Sequence, residues 1–256
     1  MKRLGILMAL AVVTTACGQM ASLQAPSRMA TPQRLFALTT RTPADLVAKA
    51  NEVFADLKDC TADVTTWTAK VPGDKDTVTY GEARMSFKKA HKDRLEVTKA
   101  DDDPKKVGTV IAYTGGDSAQ ILLKKGIPLL GRLFTLKITD KKLLTTRGVR
   151  IDQMDLPAMI GRLNAKRATF DPTVREDAIN GRKVLIVTAK GTFKGIDDDV
   201  THEEIAFDAE TGVPALDSAF VGQHPVLRLG VANLKPNVGL NDDLFVLTKD
   251  STFARR

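Results

Sequence analysis

The chain has 256 residues, of which 43% are hydrophobic and 27% are charged. This length and apolar fraction allow a buried core and exclude a wholly disordered chain. Only two cysteines are present, which excludes a disulfide-rich scaffold. The formal net charge is +7, but basic and acidic residues are interleaved along the chain. This pattern indicates a mixed solvated surface and disfavours a nucleic-acid partner, while a weak attraction to anionic lipid head groups stays open.

The N-terminus has the pattern of an export signal. Lys2 and Arg3 precede an apolar run over residues 4–13, which is too short to span a bilayer as a helix. Small residues then lead to Cys17, which stands where the lipid-accepting cysteine of a bacterial lipoprotein would become the new N-terminus. Thr14 occupies a position where such signals usually carry Leu. Signal cleavage without lipidation therefore stays an alternative.

The composition after the signal predicts a simple domain organisation. We expect a signal peptide over residues 1–16, a flexible tether over 17–41, one domain over 42–250 and a tail over 251–256. The tether segment is rich in Ala, Ser, Thr, Gln and Pro, as linkers often are. Gly18, and not Asp, follows the cysteine. This favours a lipid-anchored protein of the outer membrane that faces the periplasm.

Two segments have helical patterns. Thr42 and Pro43 supply a cap and a first helical residue for a helix that extends to about Cys60. Its apolar positions recur every three or four residues, which predicts one buried face. A second, shorter helix is predicted over residues 152–164. Cys60 is expected to be a small buried residue, because no metal or redox partner for its thiol is visible.

The remaining sequence has strand patterns separated by turn residues. Strands are predicted over residues 63–71, 77–88, 93–99, 107–113, 118–124, 184–190, 201–207, 226–234 and 244–248. Asn180-Gly181 lies between apolar runs and predicts a type I′ hairpin. Together the elements predict an α+β fold. In it, a strongly curved antiparallel sheet, or half-barrel, covers a long N-terminal helix and a short mid-chain helix.

Three segments carry a family resemblance. The first is YGEARMSFK at residues 80–88, which is followed by Arg94-Leu95-Glu96. The second is FDAETGVP at residues 207–214, which contains an Asp-x-x-Thr-Gly-x-Pro turn. The third is the closing segment from Asn233 to Phe245. These segments resemble the LolA/LolB-like superfamily of bacterial envelope proteins, which includes lipoprotein carriers, RseB-type stress sensors and mycobacterial lipid-binding lipoproteins. The resemblance covers most of residues 42–250. It implies binding or transfer of acyl chains in a concave apolar cavity, without catalysis, metal or cofactor.

Two groups of residues are candidates for ligand contact. Alternation along the strands points eight side chains inward: Trp67, Met85, Phe87, Val97, Ile111, Tyr113, Ile121 and Leu123. Most of these are expected to fill the core, because apolar strand faces do so more often than they line cavities. Residues 126–134 do not alternate and could form a lid, with Ile127, Leu129, Leu130, Leu133 and Phe134 as its apolar contacts. The alternative is a buried loop or short helix that closes the barrel.

No catalytic or metal-binding pattern is visible in the sequence. His91, His202 and His224 are scattered, and no paired His or Cys has zinc-ligand spacing. The acidic triplets at 101–103 and 197–199 lack the donor spacing of a calcium loop. There is no Gly-x-Ser-x-Gly motif. We therefore predict no enzyme activity, no cofactor and no metal.

The sequence thus predicts a protein that binds, holds or transfers a lipid or lipoprotein acyl chain in the bacterial envelope. The alternative is an envelope sensor or structural module with a packed interior that binds a protein partner. An anchored protein cannot diffuse between membranes, so the predicted lipid at Cys17 favours a receiver, holder or sensor over a shuttle.

The lipid anchor can be tested by changing one residue. Cys17→Ala removes the acceptor thiol, so the variant is expected to leave the membrane fraction and be recovered as soluble protein. The measurement is membrane fractionation of the full chain, with Cys60→Ala as the matched control that keeps Cys17. Unchanged fractionation of Cys17→Ala would contradict lipidation.

Overall fold

The computed structural model describes residues 41–123, 133–166, 169–191, 199–248 and 251. Within them lie two α-helices, α1 (Pro43–Asp56) and α2 (Leu156–Lys166). The strands are β1 (Asp59–Ala69), β2 (Val78–Lys88), β3 (Lys92–Ala100), β4 (Val110–Tyr113), β5 (Ser118–Leu122), β6 (Leu133–Lys137), β7 (Arg175–Ile179), β8 (Arg182–Lys190), β9 (His202–Asp208), β10 (Pro214–Val221) and β11 (His224–Pro236). The predicted signal, the tether up to residue 40, and Cys17, Ile127, Leu129 and Leu130 lie outside the described residues.

The strands form one antiparallel sheet. Its order is β6-β5-β4-β3-β2-β1-β11-β10-β9-β8-β7. Two meanders, β1 to β6 and β7 to β11, are joined where β1 pairs with β11, with Val64 opposite Val231 and Thr68 opposite Leu227. Among the described strands, β6 and β7 are the two edges, so the sheet does not close. The predicted α+β fold with a curved antiparallel sheet and two helices is confirmed.

Helix α1 begins at the predicted cap. The Asp45 backbone N–H donates to Thr42 Oγ1 at 3.2 Å, and the Thr42 N–H donates to the Asp45 carboxylate at 2.9 Å. This reciprocal capping box satisfies two backbone donors at the helix start. Leu46, Val47 and Ala50 form the buried face. The helix ends at Asp56, four residues before the predicted end, because β1 already begins at Asp59.

Both helices pack on the same face of the sheet. A buried apolar cluster joins the two helices to β8 and β9 through Leu46, Val47, Ala50, Ile160, Leu163, Leu185, Val187, Ile205 and Phe207. A second cluster joins the start of α2 to β1 and β2 through Leu57, Cys60, Ala62, Met85, Phe87, Leu156 and Met159. Helix α2 therefore contacts both meanders, and its packing stabilises their association.

The structure differs from the predicted elements in four places. Strands β6 and β10 have no predicted counterpart. Helix α2 begins at Leu156, later than predicted, because residues 151–153 form a separate 3-10 turn. The predicted strand over 244–248 is wrong: residues 242–245 form a 3-10 turn. This turn lies against β3, where Arg94 Nη1 donates to the Leu244 carbonyl at 2.9 Å. Leu247 then packs with Val110, Ala112 and Leu122.

The predicted hairpin at Asn180-Gly181 is confirmed. The two residues have φ angles of 50° and 76° and connect β7 to β8. Positive φ at both central positions is what a type I′ turn requires, and glycine adopts it without a steric penalty.

Two Gly→Ala substitutions are expected to change the free energy of unfolding in opposite directions. At Gly181 the positive φ strains an alanine, so Gly181→Ala is expected to destabilise the protein by about 1 kcal/mol. Gly161 lies inside α2, and a Cβ there would meet no atom within 4 Å. Gly161→Ala is therefore expected to stabilise the protein by about 0.5–1 kcal/mol. Urea unfolding measures both changes, and equal signs would contradict the prediction.

Candidate functional site

Most of the predicted inward residues lie on the sheet face that carries the helices. Met85 and Phe87 are 6% and 0% exposed and pack against Leu156 and Met159 of α2. The ring centroids of Phe87 and Phe54 are 6.3 Å apart. In the described part of the chain, these two side chains therefore fill space between sheet and helices.

The same holds farther along the first meander. Ile111, Tyr113 and Ile121 are buried together with Ile138, Leu143 and Ile151 from the segment before α2, and Leu123 borders this cluster. Val97 is also buried. These positions have the core environment that the sequence favoured for most of them. A role for any of them in ligand contact stays a prediction.

Trp67 lies on the opposite face of the sheet. It is paired with Tyr80 and Arg228, and the Arg228 guanidinium lies 5.5 Å from the centre of its ring. Cys60 and Ala62, at even positions of the same strand, face the helices, so Trp67 at an odd position faces away from them. The inward placement of Trp67 is therefore corrected. In the sequence, Trp67 is flanked by Thr65, Thr66 and Thr68. Apolar and polar residues therefore do not alternate clearly here, and the sequence does not indicate which face of the sheet Trp67 occupies.

The two described residues of the predicted lid belong to β6. Leu133 pairs with Leu122 and packs with Val110 and Ala112 on the face away from the helices. Phe134 pairs with Ile121 and is 37% exposed. These two residues are thus placed on opposite faces of an edge strand.

A cavity of about 830 Å³ lies where β10 and β11 separate. The pairing of the two strands extends only to Leu216 opposite Gly230, whereas β11 continues to Pro236 beside β1. The turn between β9 and β10 and the side of α1 line the cavity as well. Its apolar lining includes Val53, Ile179, Val184, Val213, Leu216, Val231 and Leu234. None of the described members of the predicted ligand-contact sets is among its lining residues.

The floor of this cavity depends on a close approach at Gly230. A Cβ at this position would lie 2.4 Å from Thr65 Oγ1, so any larger residue requires Thr65 to move. Gly230 and Thr65 are directly paired across β11 and β1. The missing side chain leaves room for Thr65 and keeps this part of the cavity open.

The β11 edge that borders the cavity carries features that disfavour strand addition. The register of β1 against β11 shifts between Thr61 and Asp63, and Asn233 has a φ of 52°. Lys235 and Pro236 are exposed beside this bulge. Bulges, lysines and prolines are the devices by which proteins protect strand edges from pairing with another chain. The cavity is therefore better suited to a small ligand than to an added strand.

A buried acid lies under α2, away from the cavity lining. Asp93 is 3% exposed, and no hydrogen-bond partner for its Oδ2 is found in the described residues. Burial raises the pKa of Asp93 to about 8, and the nearby Asp155 adds to the shift. Asp155 accepts a 2.7 Å hydrogen bond from the Ala158 N–H at the start of α2, and His91 Nδ1 lies 3.0 Å from its Oδ2.

The Cys60 thiol has no sign of reactivity. Burial raises the pKa of Cys60 to about 12, with Asp93 and Asp59 contributing in the same direction. The thiol therefore stays protonated at neutral pH, and a protonated thiol is a poor nucleophile and metal ligand.

A second buried polar cluster ties α2 to β9 and β10. Lys166 Nζ contacts Glu203 Oε2, and Arg162 Nη2 lies 3.2 Å from Asp217 Oδ2. Burial, and then Asp217, raise the pKa of Glu203 to about 7, while burial lowers the pKa of Lys166. All four groups pair across the interface of helix and sheet, so we assign the cluster a structural role.

Two absences within the described residues bear on the site. In the part of the chain that the structure describes, no three or more His, Cys, Asp or Glu side chains are grouped so that they could hold a metal ion. Across the same residues, no helix has the length and apolar character needed to cross a membrane.

The fold and the cavity define an open antiparallel half-barrel with helices on one face and a ligand-sized cleft at its side. No protein-family model and no curated protein sequence matches the chain. Similar solved structures include a LolA superfamily protein from Nitrosomonas europaea, which is 12% identical, with 81% of this chain and 99% of that chain covered and a TM-score of 0.37. The lipoprotein LppX of Mycobacterium tuberculosis is 12% identical, with 78% and 98% covered and a TM-score of 0.44.

An outer membrane lipoprotein-sorting protein domain from Vibrio parahaemolyticus is also similar, with 13% identity, 79% and 97% of the two chains covered and a TM-score of 0.39. The similar structures thus include a member of the LolA superfamily, which the sequence motifs resemble. At these identities the similarity concerns the fold.

The buried Asp93 predicts a pH dependence of stability. Its folded pKa of about 8 exceeds the ordinary value, so the folded state retains a proton that the unfolded state loses above about pH 4. The contribution of Asp93 to the free energy of unfolding should therefore fall as the pH rises from about 4 to 8. Asp93→Asn removes this contribution and should stabilise the protein at pH 8 relative to wild type, by at least about 1 kcal/mol.

Urea unfolding at pH 4.5, 6 and 8 gives the free energy of unfolding of Asp93→Asn and of wild type. The difference between the two proteins at each pH measures the effect of Asp93, because both proteins contain Glu203 and its contribution cancels. Asp76→Asn, at an exposed position, is the matched control, because it removes one carboxylate outside the core and shows how much such a loss changes the free energy of unfolding at each pH. A pH-independent difference for Asp93→Asn would show that the buried carboxyl does not control the profile.

Proposed function

We propose that this protein binds a lipid or another single-chain amphiphile, non-covalently and without catalysis, in the cavity between β10, β11 and α1. The observation that carries the proposal is the cavity itself. Its volume of about 830 Å³ lies within the roughly 300–1,000 Å³ of small-molecule sites. Apolar side chains form much of its lining, and charged side chains are also present. This combination suits a molecule with an apolar chain and a polar head.

Apolar burial is sufficient for useful affinity. Each buried methylene contributes about 0.8 kcal/mol, so about ten methylenes give a gross contribution of about 8 kcal/mol. Ordering the chain and losing its free motion offset part of this gain. The ligand therefore needs no elaborate polar recognition to bind.

The entry point of the chain supports a role near a membrane. Arg41 Nη1 donates to the Ala209 carbonyl at 3.0 Å, and Asp208 and Glu210 on either side of Ala209 line the cavity. The chain thus enters the domain beside the cavity. With a lipid at Cys17 and a tether over residues 18–41, the cavity would be held within a few nanometres of the anchoring membrane. This arrangement favours a receiver or holder of lipid in the bacterial envelope over a shuttle.

A protein-binding sensor or structural module is the second candidate. The observation that favours it is the packing of Met85, Phe87, Ile111, Tyr113 and Ile121 within the protein's own core. In such a module the cavity would have no lipid ligand, so a measurement of lipid binding separates the two candidates.

Filling the cavity should abolish lipid binding without unfolding the protein. Ala232 lines the cavity and is exposed, so Ala232→Trp places a large side chain in the space proposed for the acyl chain. Displacement of a fluorescent fatty acid should show at least about tenfold weaker binding to this variant. A tenfold loss corresponds to about 1.4 kcal/mol, which is less than the contribution of two buried methylenes.

The matched control is Ala165→Trp, at an exposed position of α2 outside the cavity lining, which should bind like wild type. Native mass spectrometry of the full chain purified from membranes should also show a co-purifying lipid in wild type and none in Ala232→Trp. Equal fatty-acid binding by the two variants, or none by wild type, would refute the proposal.

A further inference from the structure

Among the described residues, four charged side chains line the cavity: Lys49, Arg182, Asp208 and Glu210. Lys49 already has a partner of opposite charge, because its Nζ lies 3.0 Å from Glu52 Oε2. Lys49 therefore offers a ligand little uncompensated charge.

Asp208 is engaged by its own turn. Its Oδ1 accepts hydrogen bonds from the Glu210 N–H at 3.1 Å, the Thr211 N–H at 2.8 Å and Thr211 Oγ1 at 2.9 Å. The carboxylate is 14% exposed. These contacts engage Oδ1 and hold the turn between β9 and β10 in shape, so the carboxylate is fixed in its place in the turn.

Arg182 and Glu210 remain available. The Arg182 side chain is 70% exposed, and its Nη1 lies 3.9 Å from Asp208 Oδ2, which is longer than a hydrogen bond. Glu210 is exposed, and no ion pair or side-chain hydrogen bond to it is found within the described part of the chain. One cation with several unused donors and one carboxylate thus face the same cavity.

The backbone brings these two residues to one side of the opening. The Ala209 N–H donates to the Lys183 carbonyl at 3.0 Å, so the residues that flank Arg182 and Glu210 are hydrogen-bonded to each other. A purely anionic head would meet the Glu210 carboxylate here, and a purely cationic head would meet the Arg182 guanidinium. A head that carries both charges can satisfy both groups.

We propose that the cavity selects amphiphiles with a zwitterionic head, whose anionic group binds Arg182 and whose cationic group lies beside Glu210. The apolar chain then extends along Val184, Val213 and Leu216, which line the same cavity. This inference rests on the proposed function and adds the head-group class and the two residues that determine it.

The experiment compares four amphiphiles with the same dodecyl chain. These are dodecylphosphocholine, tridecanoate, dodecyltrimethylammonium and dodecyl maltoside, each below its critical micelle concentration, titrated into the full-length protein by calorimetry. The zwitterionic compound is expected to bind tightest, by roughly two- to fivefold, as is typical of exposed charge pairs. Added salt should reduce this preference.

Two variants separate the two charges. Arg182→Gln should weaken binding of dodecylphosphocholine and tridecanoate and strengthen binding of dodecyltrimethylammonium. Glu210→Gln should weaken binding of dodecylphosphocholine and strengthen binding of tridecanoate. Arg175→Gln is the matched control, because Arg175 is exposed on β7, pairs with Glu204 and does not line the cavity.

The outcomes distinguish this inference from the function on which it rests. Equal binding of all four amphiphiles, or tighter binding of a singly charged one, overturns the head-group selection and leaves lipid binding intact. A failure of all four to bind overturns both. Unchanged preferences in Arg182→Gln and Glu210→Gln also overturn the assignment of these residues.

Discussion

The pairing of β1 with β11 is the constraint on which the rest of the structure depends. Each meander can form from local hairpins, but only this contact, between strands more than 150 residues apart in sequence, joins them into one sheet. Contacts at such separation incur a large loop-closure cost before they stabilise the fold. Helix α2 contributes to that stabilisation because its apolar face packs against β1 and β2 on one side and β8 and β9 on the other.

The cavity follows from the same pairing. Strand β11 has 13 residues and pairs with β1 from Leu227 to Pro236, whereas β10 has 8 residues. The last residues of β11 therefore have a strand partner on one side only, and the turn at Asp208 bends the chain toward α1 instead of extending β10 beside them. The open space is a geometric consequence of two neighbouring strands of unequal length.

Local signals predicted much of the fold, and long-range geometry accounts for the rest. The cap at Thr42 and the hairpin at Asn180-Gly181 act through backbone groups a few residues away, so sequence alone identified them. The face on which Trp67 lies depends on its register with Tyr80 and Arg228, and the turn after Asn241 depends on its contact with Arg94. The cavity was missed entirely, because it depends on where the pairing of β10 with β11 stops, and no local pattern encodes that point.

The distribution of buried carboxyl groups explains why a ligand site at the side of the sheet is physically preferable to one beneath the helices. Asp93 and Glu203 lie between sheet and helices, each with a buried carboxyl oxygen that has no hydrogen-bond partner in the described residues. An acyl chain inserted there would displace polar neighbours and could not hydrogen-bond either carboxyl group, which is costly in an apolar environment. In the side cavity, by contrast, Arg182 is largely exposed and Glu210 is exposed as well. A head group can stay hydrated there while its chain is buried against the apolar wall.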